Sequence, residues 1–349
     1  MIARVAGAGA RGSLGLSCVQ LAMGVRARLL APASTSFLDR RGRSVGLCMA
    51  AGIAPGARGY ERFLALGAAP MREACPANVG PLPVLLALPE AGRPDDDPRF
   101  ATELAPALAA LAGVPIDRDR SRVFREGHAG GAFALEAAVL LLRSGAEAVL
   151  VGGIDSHVHP GVIASLDGEY RLHAIDAENG IVPSEGAAFL LLTHPGAARR
   201  GTGPLRAVAG LLAARTARED TVVSGEPNLA RAMTQIVSEM AAAAPPDWVL
   251  TDVNGERHRI REWMQVELRS RFAAGTPVER PADELGDTGA ASGLMFAALV
   301  CAFWSAGCAP GSRALIALSS ESAARGAFVL EAGDGAPGGG ERARSGEAA

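Results

Sequence analysis

The chain has 349 residues, 49% hydrophobic and 20% charged, with a formal net charge of −3. That describes an ordinary globular composition with room for a large core, and it implies neither nucleic acid nor an anionic membrane as a partner. All 34 basic residues are arginine; with no lysine, Schiff-base, pyridoxal-phosphate and P-loop lysine chemistry are excluded together.

From the N-terminus, Arg4 to Ala10 reads as a strand of small residues and Leu14 to Met23 as a helix. No uninterrupted apolar segment marks a signal peptide or a membrane span there. Arg40 to Gly59 is irregular. Tyr60 to Ala74 has helical spacing, and the apolar run Leu82 to Leu88 predicts a buried parallel strand. Ala91 to Pro98 reads as a solvated loop carrying Asp95, Asp96 and Asp97. Phe100 to Leu111 is helical, stopped at Gly113 to Pro115. A strand at Arg122 to Arg125 then enters the turn Gly127-His128-Ala129-Gly130-Gly131. The helix that follows, to Arg143, is apolar on nearly every face, so it should be buried all round.

Ala148 to Gly153 is a strand, and Pro160 to Gly186 reads as mostly loop. Ala187 to Leu192 is a buried strand, and Pro195 to Gly203 a linker. The pattern then restarts. Leu205 to Ala214 and Trp248 to Val253 are strands, with an amphipathic helix at Leu229 to Met240 between them. Arg259 to Phe272 is a helix. Gly286-Asp287-Thr288-Gly289-Ala290 opens a second helix apolar all round, to Trp304. Arg313 to Leu318 and Ala327 to Leu330 close the fold. This is an internal duplication, with GHAGG from Gly127 set beside GDTGA from Gly286. Two α/β halves, 1–195 and 204–332, place two core helices between two sheets. Residues 333–349 are Gly-, Glu- and Arg-rich and read as a disordered tail.

The five cysteines are scattered and odd in number, which predicts reduced thiols in a cytoplasmic protein rather than a disulfide frame or zinc site. His157 and His159 sit two apart with Asp155 near, a weak metal pattern that reads better as free loop histidines. Arg40 to Arg43 and Arg257 to Arg261 read as exposed faces, with docking of an acidic carrier protein as the alternative.

The element order, the duplication and the two glycine turns resemble the thiolase fold, and within it the β-ketoacyl-acyl-carrier-protein synthases. The resemblance covers Ala3 to Glu331. GHAGG with its helix and VLVGG is similar to that family's nucleophile turn. Asp176 to Ala188 is similar to its D-A-x-R-D-G-F-V-x-G-E-G-A segment, and Gly286 to Gly293 to its G-H-T-x-G-A-A-G. The resemblance implies a duplicated αβαβα layered fold, no cofactor and no metal. It also implies a homodimer or a heterodimer with a ketosynthase-like subunit, paired through Arg122 to Arg125, with an acyl carrier protein as a further partner.

The family's chemical positions are changed. Its nucleophilic cysteine falls at His128, and its two histidines at Asn254 (or Glu256 in a register shifted by two) and Asp287. Its lysine falls near Ala282, and its G-F-G-G loop at Ser319 to Gly326. An acyl-imidazole hydrolyses readily, and an ionised Asp287 repels an enolate. The expected function is therefore a ketosynthase-like protein without condensing activity, acting as partner subunit, scaffold or acyl-chain binder. Two alternatives stand beside it. One is an acyltransferase or thioesterase in which Asp287 supports His128 as general base and Asn254 donates to the oxyanion. The other is an accessory or adaptor protein of a secretion or biosynthetic gene cluster.

Overall fold

The computed structural model describes residues 1–30, 32–77, 79–174, 177–196, 209–219, 229–270 and 272–333. The predicted tail beyond Gly333, most of the linker and Asp176 lie outside the described residues. The first half runs β1 (Ala3–Gly12), α1 (Cys18–Arg26), β2 (Ala33–Leu38), β3 (Ser44–Leu47), α2 (Gly59–Ala74), β4 (Leu82–Ala87), α3 (Arg99–Thr102) and α4 (Leu104–Ala112). It continues through β5 (Ile116–Phe124), α5 (Gly130–Arg143), β6 (Ala148–Ser156), α6 (Pro160–Gly168) and β7 (Glu185–Thr193). The second half runs β8 (Ala209–Arg218), α7 (Arg231–Ala243), β9 (Trp248–Thr251), α8 (Arg257–Ser270), β10 (Val278–Glu279), α9 (Ala282–Leu285), α10 (Ser292–Ser305), β11 (Arg313–Ser319) and β12 (Ala324–Ala332).

The strand order shows the repeat directly. From the middle outward, one side reads β1-β7-β6-β4-β5 and the other β8-β12-β11-β9-β10. The two expected sheets are one continuous ladder, because β1 pairs antiparallel with β8 through Ala3–Leu211, Arg4–Gly210 and Val5–Ala209. The buried strands alternate between two cores, as the two-residue period requires. On β7, Ala188, Leu190 and Leu192 enter the central core; Ala187, Phe189 and Leu191 enter the outer one against α2 and α4. On β11, Ala314, Ile316 and Leu318 face the centre, while Leu315 and Ala317 face α7 and α8. Helices α5 and α10 fill the centre, which completes the five layers.

The central helices meet near their N-termini. A Cβ on Gly131 would lie 2.3 Å from Leu294 Cδ2, so a larger residue there would force the Leu294 side chain to move. From Ser292 to Trp304 every residue of α10 is buried. Helix α5 departs from expectation: Leu140 is 64% exposed and Glu136 is half-buried, because β8 covers only part of that face. There Glu136 accepts from the Thr216 amide (3.1 Å) and hydroxyl (2.5 Å).

Two stretches read as irregular contain elements. Arg40 to Gly59 holds β3, paired with β2, and Pro160 to Gly186 holds α6. Short amphipathic pieces outside the main sheet carry too few residues for periodicity to show. Among the described residues, no helix is long and apolar enough to cross a membrane.

Candidate functional site

A single 3₁₀ turn, Gly127–Ala129, links β5 to α5 and carries His128, which is 7% exposed. Asp287 follows Gly286, and the parallel bridge between Pro183 and Asp287 fixes it: Asp287 N donates to Val182 O (2.8 Å), and Ser184 N donates to Asp287 O (3.1 Å). Asn254 lies beyond β9. These three predicted residues converge. His128 Nε2 lies 2.8 Å from Asp287 Oδ1, and Asn254 Nδ2 donates to Asp287 Oδ2 at 2.6 Å. Gly289 N also donates to Oδ1 (2.7 Å), so the carboxylate accepts three hydrogen bonds. Asn254, not Glu256, is the residue in direct contact with Asp287.

Sequence reasoning missed Arg259. Expected on an exposed face, it is 2% exposed and stands directly behind His128. Its Nη2 donates to His128 Nδ1 at 3.3 Å and to Glu321 Oε1 at 2.6 Å; Nη1 donates to Asp252 Oδ2 at 3.1 Å and to the Ser319 carbonyl. A guanidinium has no acceptor, so His128 Nδ1 presents its lone pair to Arg259 and Nε2–H donates to Asp287. Both nitrogens of the neutral ring are therefore engaged. The remaining hydrogen of the Asn254 amide faces Glu256 Oε2 (3.3 Å), and Asn254 Oδ1 accepts from Glu256 N (3.2 Å). The amide expected to donate to an oxyanion is committed to neighbouring carboxylates. Arg171 closes the network on Glu256 (2.6 Å) and Glu321 (2.9 Å). The signal for Arg259 was its place two residues into a helix that follows Asn254, but spacing alone does not say which arginine of Arg257, Arg259 and Arg261 turns inward.

The network sets the charges. Burial and Arg259 oppose protonation of His128, but Asp287 and Asp252 outweigh them and raise its pKa above the ordinary imidazole value. Burial alone would raise Asp287; the charge and hydrogen bond of His128, with His157 and Arg259 behind, hold it well below the carboxylate range. Burial raises Asp252, which Arg259 only partly offsets. Glu321, pushed up by burial, is pulled down to about 2 by Arg259 and Arg171.

A cleft of about 280 Å³ opens over this network. Its lining includes His128, Asp287, Asp155 and His157, with Glu90 and Arg93 from the loop after β4. Glu169, Arg171 and Glu321 add charge, and Pro94, Val162, Leu166 and Ile181 are apolar.

His157 and His159 are not the free pair expected. His157 is buried, and its Nδ1 lies 3.0 Å from the Ser184 carbonyl oxygen; His159 Nδ1 is buried without a partner among the described residues. Asp155 accepts from Ser156 N and Ala290 N and pairs with Arg93 at 2.7 Å, so it is no metal ligand beside them. The run Asp95–Asp97 is likewise not wholly solvated, since Asp95 is buried against Arg93 (2.6 Å). Glu185 is fully buried, paired with Arg62 (2.5 Å) and accepting from Ser156 Oγ (2.8 Å), which braces the strand end that carries His157. Glu256, His258 and Glu321 place donor atoms within 4.8 Å of one another, but both carboxylates already hold guanidiniums that would compete with a cation.

Five layers of helix and sheet, a repeated strand order and a site at the N-termini of two central helices define a thiolase-like ketosynthase fold. The solved structures agree. The ketosynthase from module 6 of the bacillaene synthase from Bacillus subtilis 168 matches 94% of this chain and 72% of its own at 12% identity, TM-score 0.72. A chain of the AntDE:AntF complex, a type II PKS acyl-carrier protein with its ketosynthase bound to the hexaketide, matches over 95% and 99% at 16% identity, TM-score 0.76. The ishigamide ketosynthase/chain length factor matches over 95% and 99% at 20% identity, TM-score 0.68. No protein-family model and no curated protein sequence matches the chain.

Proposed function

We propose that this protein is a ketosynthase-like subunit that does not condense and that serves as the partner of a second ketosynthase-like chain. The observation that carries the reading is the state of His128. It stands at the position that the resemblance gives to a nucleophile, and both its nitrogens are tied to Asp287 and Arg259. The surroundings have the wrong sign for an enolate: ionised Asp287 and Glu321 face the cleft where donors to a developing negative charge are needed. The likeness to a ketosynthase/chain length factor supports a paired role, and that to a carrier-protein complex supports an acyl carrier protein as further partner. Strand β5 ends the ten-stranded ladder, leaving its outer edge for a second copy or a partner chain along Arg122 to Arg125. The boundaries 1–195 and 204–332 belong to the same proposal.

A second reading, an acyltransferase or thioesterase centred on His128, draws on the 2.8 Å contact with Asp287 and the cleft above it. One experiment separates the two: incubation of wild type and His128→Ala with short- and long-chain acyl-thioesters, following free thiol. Equal turnover at background level is expected. General-base catalysis contributes about 10²–10⁴-fold, so a wild type faster than His128→Ala by that order would replace the first reading with the second.

A further inference from the structure

His128 has no free nitrogen for a ligand, but His157 does. His157 is 6% exposed and lines the same cleft. A carbonyl oxygen only accepts, so the Nδ1 facing Ser184 O carries the ring proton. In the neutral ring Nε2 is then a lone-pair acceptor on the opposite side, without a partner among the described residues. The ring is held in place. Ser184 is fully buried, its amide donates to Asp287 O and its hydroxyl to Cys48 O (3.0 Å). The backbone amide of His157 donates to the same Ser184 carbonyl at 3.0 Å.

Charge adds a second constraint. The lining holds five carboxylates and two guanidiniums, with a third, Arg259, behind it on Glu321. All three are already committed: Arg93 to Asp95 and Asp155, Arg171 to Glu169, Glu256 and Glu321, and Arg259 to Asp252, Glu256 and Glu321. A narrow cleft concentrates such a field. A fixed ring nitrogen without a partner, an excess of carboxylates and an apolar wall together select a cation with N–H donors on a small apolar body.

We propose that the cleft binds a small primary ammonium ligand, which donates to His157 Nε2 and rests its apolar part on Pro94, Val162 and Leu166. Condensing activity does not enter the inference; it needs only the cleft, its charge and the free acceptor.

The test is calorimetric titration of the full chain with benzylammonium, benzyl alcohol and benzoate, three probes of one shape and three charges. Charged donors strengthen a hydrogen bond, so benzylammonium is expected to bind about tenfold or more tightly than benzyl alcohol, with benzoate weakest. His157→Phe keeps a ring and removes the acceptor; a loss of about tenfold for benzylammonium is expected. Because His157 is buried, Glu90→Gln at the half-buried lip provides a second variant. It is expected to weaken benzylammonium by about threefold and to strengthen benzoate. Equal affinity for the ammonium and the alcohol, tighter binding of benzoate, no binding of benzylammonium, or no change in either variant would each overturn the proposal.

Discussion

The turns at Glu126–Gly130 and Thr288–Ser292 share one backbone. Gly127 and Gly289 have φ of +57° and +52°; Ala129 and Ala291 have φ of −73° and −76°; Gly130 and Ser292 open α5 and α10 at −52° and −51°. Each turn is capped by the other half of the chain: Ala129 N donates to Ser320 Oγ (3.0 Å), beyond β11, and Ala290 N donates to Asp155 Oδ2 (2.8 Å), on β6. The equivalence pairs Gly127 with Gly289, three residues later than the pairing with Gly286 expected from sequence. The counterpart of His128 is therefore Ala290, and that of Asp287 is Arg125; Asp287 stands one residue before the second turn and reaches across to the first. Two copies of one backbone have been divided into a turn that presents a side chain and a turn that supports it.

The largest expected effect comes from cutting the link between the turns. Asp287→Ala leaves His128, the Asn254 amide and the Gly289 amide without their acceptor. Removing an ionised carboxylate from a buried hydrogen-bonded network costs about 3–5 kcal/mol, read from urea unfolding. The pH dependence checks the cause. A raised His128 pKa contributes stability that is complete below its ordinary value of about 6.5 and is lost as pH rises through the folded value. The lowered Asp287 pKa contributes above about 3.9 and is lost only in acid, as pH falls through its folded value. Between pH 6 and pH 8 only the histidine contribution changes, so the gap between wild type and Asp287→Ala is expected to narrow. A gap that stays constant over that range would mean the contact adds nothing as a charge pair.

The next comparison sets the two glycines against each other. Both occupy left-handed φ, where a side chain costs about 1–2 kcal/mol. They differ in what a Cβ meets. At Gly289 it would lie 2.0 Å from Asp155 Oδ2, and Asp155 is fixed by Arg93, Ser156 N and Ala290 N. At Gly127 it would lie 3.1 Å from the Glu90 side chain, which is half-buried and can turn away. Gly127→Ala is expected to cost about 1–2 kcal/mol and Gly289→Ala about 3 kcal/mol or more, by denaturant midpoint. Equal losses would show that the two turns are not differently loaded.

The layers of this fold were legible because each depends on a long periodic signal. The continuous apolar runs of β4 and β7, the full burial of α10 and the restart after β7 follow from residue pattern alone. The convergence of His128, Asn254 and Asp287 came through resemblance. Charge partners were not legible. Whether Arg259 or Arg257 turns inward depends on the exact phase of α8, and a one-residue error reverses the answer. The buried arginine, the engaged Asn254 amide and the free nitrogen of His157 all come from contacts across 27 to 131 residues of sequence or from a ring orientation, which no local pattern encodes.

The smallest expected effect lies on the two central helices. Counting from Gly130 and Ser292, Leu140 of α5 corresponds to Ala302 of α10. Ala302 is 1% exposed and Leu140 64%, although both helices read as apolar throughout. Glutamate is about as good a helix former as leucine. If the outer face of α5 meets only water, Leu140→Glu changes stability by less than about 0.5 kcal/mol. The same measurement at rising protein concentration tests the paired assembly. A loss above about 1 kcal/mol that appears only where the wild type associates would show that a second chain covers Leu140, because association stabilises the folded state by mass action. Burial of α5 all round would then be a property of the assembly, supplied by the partner rather than by the chain itself.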